Sequence, residues 1–208
     1  MLVASLFLSC NSQASFRLSR INSYDSTEIF SGYFVYDYDS SDNRTKYSIY
    51  STPDTLMQYH TFEYSSGQLQ KMTQYDGSDT LLYYRLFIYD VQKRIIRADI
   101  YDTSNTLSAY LLYEYNTGNN LEQISLYSAG NALGSYSIYE YNGSQLYKRS
   151  SYNDSDVLQY YSLYTYGANE RIRREDLYDS GDSLTGYNIY EYEEGVSTYE
   201  SYFGQSSW

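Results

Sequence analysis

Aromatic and aliphatic residues recur along this chain with a period of about 26 residues. When Tyr24 is taken as position zero, the equivalent tyrosines are Tyr50, Tyr75, Tyr101, Tyr127, Tyr152 and Tyr178. Each unit then has Phe or Leu at position +6, Tyr at +9, Tyr or Phe at +12, and Tyr at +14. Self-similarity at a fixed period of this length indicates a repeat architecture.

Each unit contains two turn signals separated by runs of β-forming residues. The first follows position zero, as in residues 178–184, and the second follows position +14, as in residues 115–121. Asp, Asn and Gly suit such turns because they tolerate positive φ, and Asp and Asn also hydrogen-bond their own backbone. Runs between turns, such as residues 107–115, favour strands. The sequence therefore predicts an all-β antiparallel meander of about seven repeated hairpins, or about 14 strands, in a single curled or spiralling sheet.

Two of the units are one residue shorter than the others. They begin at Tyr50 and Tyr127, and the residue is missing from the second half of the unit. Because turns tolerate deletions better than strands do, we expect the loss to fall in the second turn, as in residues 141–146.

Alternation along the strands assigns positions to the two faces of the sheet. Positions +12 and +14 share a face that is aromatic in every unit, and we expect this face to be the buried, concave side. Positions +9, +11 and +13 share the other face, and position +13 is mostly acidic, so this face should meet water. We predict that the +9 row forms an exposed binding surface, whose central members are Tyr84, Tyr110, Tyr136 and Tyr161. Tyrosine gives large amphipathic contact area to a protein or carbohydrate ligand, and the alternative is that the rows simply pack the sheet.

Composition and charge narrow the class of protein. The 208 residues include 32 tyrosines, and this aromatic content argues against disorder. The net charge of −12 makes nucleic acid an unsuitable partner, because phosphate binding needs clustered Lys and Arg. The two local basic groups are expected to neutralise the acidic +13 row through cross-strand pairs. Their members are Lys93, Arg94, Arg97, Arg171, Arg173 and Arg174.

Candidate chemistry is sparse, and we predict that the chain is not an enzyme. His60 is the only histidine, and we interpret it as an exposed strand side chain rather than a general base. With Cys10 as the single cysteine, a His/Cys metal site is excluded, and no metal or cofactor is expected. Side-chain oxygens are paired at positions +1 and +4 of the first turn. They could bind calcium weakly, but we favour the interpretation that they only stabilise the turn by bonding to its backbone. These pairs are Asp25/Glu28, Asp76/Asp79, Asp102/Asn105, Asn153/Asp156 and Asp179/Asp182.

The first ten residues are an apolar run that ends in Ser9 and Cys10. They resemble a bacterial lipoprotein signal, in which the cysteine becomes the lipidated first residue of the mature protein. This resemblance implies a signal segment over residues 1–9, a polar tether over residues 10–23, and a single β-repeat domain over residues 24–208. The alternative is an ordinary first strand with an incidental cysteine.

The repeat itself resembles the YD repeats of bacterial Rhs-type proteins over residues 24–192. The matching pieces include Tyr101-Asp102, Tyr178-Asp179-Ser180-Gly181 and Tyr89-Asp90. The resemblance implies a spiralling β-sheet. The Gly of the motif is often Ser or Asp in this chain, and the chain is too short to enclose a toxin, so encapsulation and autoproteolysis are not implied.

These features together predict a non-catalytic, lipid-anchored repeat protein of the cell envelope. It would be located at the outer membrane or the cell surface and act as a binding or structural scaffold. Its expected partners are the membrane, through Cys10, and a protein or carbohydrate ligand. The alternative is an intracellular interaction module such as an antitoxin or an immunity-type protein.

Overall fold

The computed structural model describes residues 16–167 and 170–194, and this part of the chain folds into fourteen strands. The strands are β1 (Phe16–Asp25), β2 (Phe30–Tyr38), β3 (Arg44–Ser51), β4 (Thr55–Ser65), β5 (Gln68–Asp76), β6 (Leu81–Tyr89), β7 (Ile95–Tyr101), β8 (Leu107–Tyr115), β9 (Leu121–Ser128), β10 (Leu133–Asn142), β11 (Gln145–Asn153), β12 (Leu158–Tyr166), β13 (Ile172–Asp179) and β14 (Leu184–Glu194). Each strand pairs antiparallel with its neighbours in the chain, and β14 pairs with β1. The predicted meander is confirmed, and its curl is complete because the sheet closes into a barrel. None of the described residues forms a helix that could cross a membrane.

The turns form the two mouths of the barrel. Seven first turns make one mouth, which we call the acidic mouth. They cover residues 25–29, 52–54, 76–80, 102–106, 128–132, 153–157 and 179–183. The second turns make the other, which we call the terminal mouth because β1 begins there and β14 ends there. In the two short units the missing residue falls in this second turn, as predicted, because Ser65 pairs with Gln68 and Asn142 pairs with Gln145 across two-residue turns.

Strand β1 corrects the expected domain boundary. Residues 16–23 were expected to be a polar tether, but they pair with both β2 and β14. The apolar residues Leu18 and Ile21 are three apart, which breaks a strand's alternation in the sequence. A bulge between Leu18 and Arg20 turns both side chains inward, where they are 8% and 0% exposed. The expectations for residues 1–15, including Cys10, and for residues 195–208 lie outside the described part of the chain.

The predicted concave face is the inside of the barrel. The side chains at position +12 are 4–8% exposed. They are Tyr36, Phe62, Phe87, Tyr113, Tyr139, Tyr164 and Tyr190. Nearer the terminal mouth, the seven +14 residues pack against this core and form what we call the inner tyrosine ring: Tyr38, Tyr64, Tyr89, Tyr115, Tyr141, Tyr166 and Tyr192. The assignment of positions +12 and +14 to the buried face is confirmed.

Hydrogen bonds tie the inner tyrosine ring to the adjacent strands. The hydroxyls of Tyr38, Tyr89, Tyr115, Tyr166 and Tyr192 donate to the backbone carbonyls of Leu18, Leu69, Ile95, Leu146 and Ile172 over 2.7–2.9 Å. Each bond joins the end of an even-numbered strand to the start of the strand before it. Because a buried phenol needs a partner, these carbonyls let the ring stay inside the barrel.

The seam between β1 and β14 is tightly packed at Gly186, and this generates a test of closure. A Cβ at Gly186 would lie 2.5 Å from the carbonyl oxygen of Tyr24, across the seam. Because backbone is displaced less easily than a side chain, Gly186→Ala should lower the free energy of unfolding by about 1–3 kcal/mol. Urea denaturation measures this value.

The matched control is Gly134→Ala, in strand β10. A Cβ at Gly134 would lie 3.7 Å from the nearest atom, the carbonyl oxygen of Leu126, which is an ordinary contact. This change should leave stability unchanged or raise it slightly, because alanine restricts the unfolded chain. Equal effects of the two substitutions would contradict the tight seam.

Candidate functional site

The predicted binding row lies on the outer face of the barrel, where its tyrosines stack in pairs. The +9 tyrosine of each unit lies directly opposite the position-zero tyrosine of the next unit. The pairs are Tyr33–Tyr50, Tyr59–Tyr75, Tyr84–Tyr101, Tyr110–Tyr127, Tyr136–Tyr152, Tyr161–Tyr178 and, across the seam, Tyr187–Tyr24. Their ring centroids are 4.8–5.2 Å apart and their planes differ by 6–16°. One face of each +9 ring is therefore covered.

A cationic side chain covers the other face of most of these rings. The cation–ring pairs are Arg20 with Tyr33, Lys46 with Tyr59, Lys71 with Tyr84, Arg97 with Tyr110, Lys148 with Tyr161 and Arg174 with Tyr187, at 3.8–5.3 Å from the ring centroid. At Tyr136, Gln123 stands at the equivalent position in the register. Each such contact stabilises an exposed site by about 0.5–1 kcal/mol.

The hydroxyls of the same rings bind the turns of the acidic mouth. They donate to the side chain at position +4 of the next unit. The acceptors of Tyr33, Tyr59, Tyr84, Tyr110, Tyr136 and Tyr161 are Asp54, Asp79, Asn105, Asn131, Asp156 and Asp182. The bond to Asp79 raises the pKa of Tyr59 to about 12, because the carboxylate favours the protonated phenol. The stacked tyrosine pair, the cation above it and the turn side chain that accepts the hydroxyl thus form one set of contacts that recurs around the barrel.

The acidic residues of the first turns make hydrogen bonds within their own turns. At position +1, Oδ1 of Asp25 accepts the backbone N–H groups of Thr27 and Ile29 over 2.8 and 2.9 Å. At position +4, Glu28 and its equivalents other than Asp54 adopt positive φ, between 59° and 65°. The described residues contain no group of three His, Cys, Asp or Glu side chains that would hold a metal ion.

Ion pairs cross the outer wall between the mouths. Glu63 pairs with Lys71 over 3.1 Å, and Glu140 pairs with Lys148 over 3.9 Å. The expected role of the two basic groups is corrected by their observed partners. Arg97 and Arg174 lie opposite Ile88 and Thr165, which belong to the two units in which position +13 is not acidic. Each arginine instead binds an aspartate on its own strand, Asp99 and Asp176 respectively, over 2.6 Å. Arg94 binds Asp90 within its own turn, and Arg171 lies over the ring of Phe16.

Inside the barrel, the carboxylate of Glu175 is the centre of a buried polar cluster. It is 1% exposed and accepts hydrogen bonds from Tyr164 Oη, Asn188 Nδ2 and Tyr190 Oη over 2.8–3.0 Å. The guanidinium of Arg149 lies 3.5 Å from Glu175 Oε1. Burial together with the nearby carboxylate raises the pKa of both tyrosines well above the usual value. This Glu175 cluster is neutral overall, since one cation meets one anion.

A second buried polar cluster surrounds Arg85, on strand β6. Arg85 is 4% exposed, and its Nη2 donates to the hydroxyl of Tyr83 over 3.1 Å. On β4, His60 is also 4% exposed, stacks on Tyr47 at 4.7 Å, and bonds through Nε2 to Gln74 Oε1 over 2.8 Å. Desolvation lowers the pKa of His60 to about 4, and the charges of Arg85 and another buried arginine add to this effect. His60 is therefore neutral at pH 7.

The predicted site residues are thus only partly where they were expected. Tyr84, Tyr110, Tyr136 and Tyr161 are on the outer face as predicted, but Tyr110 is only 7% exposed. The expectation of an exposed row is wrong for Tyr110, because its ring is enclosed by Tyr127 and a cation. A binding role for the row stays a prediction.

The interior clusters were missed by sequence reasoning. His60 was expected to be exposed, and this is wrong. It stands two residues before Phe62, so the same alternation that buries position +12 also buries position +10. The same count places Arg85 inside. On the odd-numbered strands, Arg149 and Glu175 stand three residues before Tyr152 and Tyr178, so alternation from these outer-face tyrosines places both inside, where they pair with β10 and β12.

Neither a protein-family model nor a curated protein matches this chain. Among solved structures, a porin-like protein from Bacteroides uniformis is similar with a TM-score of 0.48 and 12% identity, over 85% of this chain and 98% of that chain. A protein from Bacteroides fragilis with a YmcC-like fold gives 0.32 and 11%, over 88% and 97%. TcdB2-TccC3 gives 0.35 and 13%, over 76% of this chain and 10% of that chain. At these scores the likeness says nothing about activity, and the resemblance to YD repeats stays a prediction.

The stacks predict a structural role for the outer tyrosines. Tyr161 stacks on Tyr178, lies beneath Lys148 and donates to Asp182. Tyr161→Ser should therefore lower the free energy of unfolding by about 2 kcal/mol, because a stack and a half-buried ring are lost. Tyr161→Phe keeps the ring and should cost about 1 kcal/mol for the lost hydrogen bond. Chemical denaturation measures both effects. An unchanged denaturation midpoint for the serine variant would contradict a structural role for the outer tyrosines.

The depressed pKa of His60 predicts a pH-dependent stability. The unfolded chain takes up a proton near pH 6.5, whereas the folded chain does so only near pH 4. Stability should therefore fall by about 3 kcal/mol from this residue alone as the pH drops through that interval.

The variant His60→Asn isolates this contribution, because Asn188 occupies the equivalent position in another unit. Urea unfolding of the two proteins at several pH values between 7 and 4 should give a shallower decline for the variant. The carboxylates titrate in both proteins and cancel in the difference. Parallel pH profiles would show that His60 titrates normally.

Proposed function

We propose that this chain is a non-catalytic β-barrel of the bacterial cell envelope, held at the membrane by a lipid on Cys10, where it acts as a structural or binding scaffold. The observation that carries the proposal is the position of Phe16, which begins β1 at the terminal mouth. From Cys10 to Phe16 the chain can span about 20 Å at most. A lipid on Cys10 would therefore hold the terminal mouth towards the membrane.

The charges of the two mouths support this orientation. The seven first turns carry ten carboxylates and no Lys or Arg. The second turns carry four acidic residues, Asp39, Asp42, Asp90 and Glu170, against three basic ones, Lys93, Arg94 and Arg171. An anionic membrane surface repels carboxylates within about one Debye length. The acidic mouth is therefore better suited to face away from the membrane.

The outer wall supports attachment by a lipid rather than by insertion of the strands. Ionised side chains such as Glu63, Lys71, Glu140 and Lys148 lie between the mouths on the outer face. Charged residues on the lipid face of a transmembrane barrel cost about 2–4 kcal/mol each near the midplane. The wall therefore suits an aqueous surrounding.

The interior supports a role without catalysis or conduction. The +12 side chains fill the barrel at mid-height, being 4–8% exposed, so the barrel is packed at this level. His60 is buried, stacked and neutral, which removes it from the surface where a general base would meet a substrate. What the fold presents to a partner is its rim and its outer wall.

Lipidation is tested by expressing the full chain and the variant Cys10→Ser in bacteria supplied with an alkyne-bearing fatty acid. We expect label and membrane association for the unaltered chain and neither for the variant. An unlabelled chain in the soluble fraction would exclude the anchor and favour the intracellular interaction module.

Orientation is tested with two variants that each carry one added cysteine. Gly118→Cys places it in the terminal mouth, and Ser104→Cys places it in the acidic mouth. In the lipidated protein the added cysteine is the only free thiol, since Cys10 is the single native cysteine. A fluorophore at Gly118 should be quenched by lipid-borne quenchers, and one at Ser104 should not. The reverse order would contradict the proposed orientation.

A further inference from the structure

Two buried arginines lie inside the barrel, one in place of a repeated aliphatic residue and one at a position that varies between units. At the layer of the inner tyrosine ring, the residues opposite the tyrosines are aliphatic in the other units: Leu18, Leu69, Ile95, Leu121, Leu146 and Ile172. In the remaining unit Arg44 stands opposite Tyr38 and is 5% exposed. Arg85, 4% exposed, occupies position +10, where another unit has Leu111. The other units have uncharged residues at both places, so the fold does not itself require these charges.

Arg85 is a buried charge without a counter-charge among the described residues. No ion pair links it to a carboxylate, and its Nε and Nη1 atoms have no hydrogen-bond partner in this part of the protein. A guanidinium stays protonated at any pH that proteins tolerate. Leaving such a group buried and unpaired strongly destabilises the folded state. The Glu175 cluster shows the contrasting solution, in which Arg149 meets a carboxylate.

The surroundings of Arg85 are suited to an anion. Burial raises the pKa of the Tyr47 and Tyr113 phenols, and the nearby positive charge of Arg85 opposes this rise. The hydroxyl of Tyr83 accepts a hydrogen bond from Arg85 Nη2. Both Arg44 and Arg85 act electrostatically on His60. The local field is therefore positive, although the whole protein has a net charge of −12. At physiological salt, surface carboxylates more than about 8 Å away are largely screened.

We propose that the barrel binds a small inorganic anion, such as chloride or phosphate, at the guanidinium of Arg85 between β4 and β6. The anion supplies the counter-charge that the described residues do not, and it accepts hydrogen bonds from Nε and Nη1. This site is independent of the lipid anchor, so the two proposals fail or succeed separately. It is also distinct from the Glu175 cluster, where every charge already has a partner.

Stability measurements test the site. Thermal unfolding of the unaltered protein is followed in chloride, in phosphate, and in gluconate, an anion too large to be enclosed, at one ionic strength. We expect the melting temperature to be several degrees higher in chloride or phosphate, because a ligand that binds only the folded state stabilises it. The difference between the two small anions identifies which one fits.

Arg85→Leu is the decisive variant, because Leu111 occupies the same position in another unit. It should lose the anion dependence and unfold at one temperature in all three salts. Arg97→Met, which removes an outer-surface arginine, is the control and should keep the dependence. If Arg85→Leu keeps the dependence, or if the unaltered protein has none, the proposal is wrong.

The single histidine gives a readout that needs no variant. NMR of the His60 ring should show a pKa near 4 in gluconate and a higher pKa in the small anion that binds, since a bound negative charge favours the imidazolium. Protein freed of unbound salt and then denatured should also release the anion in near-equimolar amount. An unchanged pKa together with no released anion would show that water alone solvates Arg85.

Discussion

The pairing of β14 with β1 is the constraint on which the rest of the structure depends. It removes both edges of the sheet, which would otherwise present unpaired N–H and C=O groups to other chains. It also gives every strand an inner and an outer face. The seam uses the same stacked tyrosine pair as the junctions within the chain, since Tyr187 stacks on Tyr24 at 4.9 Å. A unit that can join any neighbour in this way can also join the last unit to the first.

The high tyrosine content follows from closure, because the inner and the outer face of the barrel each favour tyrosine for a different reason. A barrel of fourteen strands is wider than one that aliphatic side chains fill easily, and a phenol reaches further and still finds a carbonyl for its hydroxyl. On the outer face, the same residue type presents a flat ring to its cross-strand neighbour and a hydroxyl to the turn beyond it, as Tyr161 does with Tyr178 and Asp182. Leucine would meet neither need, and phenylalanine would leave the turn acceptor unpaired.

Local patterns predicted the strands, the faces and the turns, because each depends on residues that are near in sequence. Closure was not predictable in this way, because the pairing of Tyr24 with Tyr187 joins residues at opposite ends of the array. Strand β1 was missed because a bulge shifts the alternation between Leu18 and Ile21. The alternation that buried Phe62 applied equally to His60, so this error was avoidable. The site at Arg85 was not, since only the packed structure shows which of its nitrogen atoms have partners.

The departures from the repeat also address a difficulty that a regular barrel creates. Seven near-identical hairpins can in principle pair in the wrong order, or with a second chain, because each junction resembles every other. Polar groups that occur in single units remove this degeneracy. Across the seam, Ser23 Oγ donates to Asn188 Oδ1 over 2.7 Å, and Asn188 in turn donates to Glu175. Any other partner for β14 at the seam would break the Ser23–Asn188 bond and leave the amide oxygen of Asn188 buried without this donor, at a cost of about 1–3 kcal/mol. The same buried polar residues that weaken the apolar core therefore select one closed arrangement over its near-equivalents.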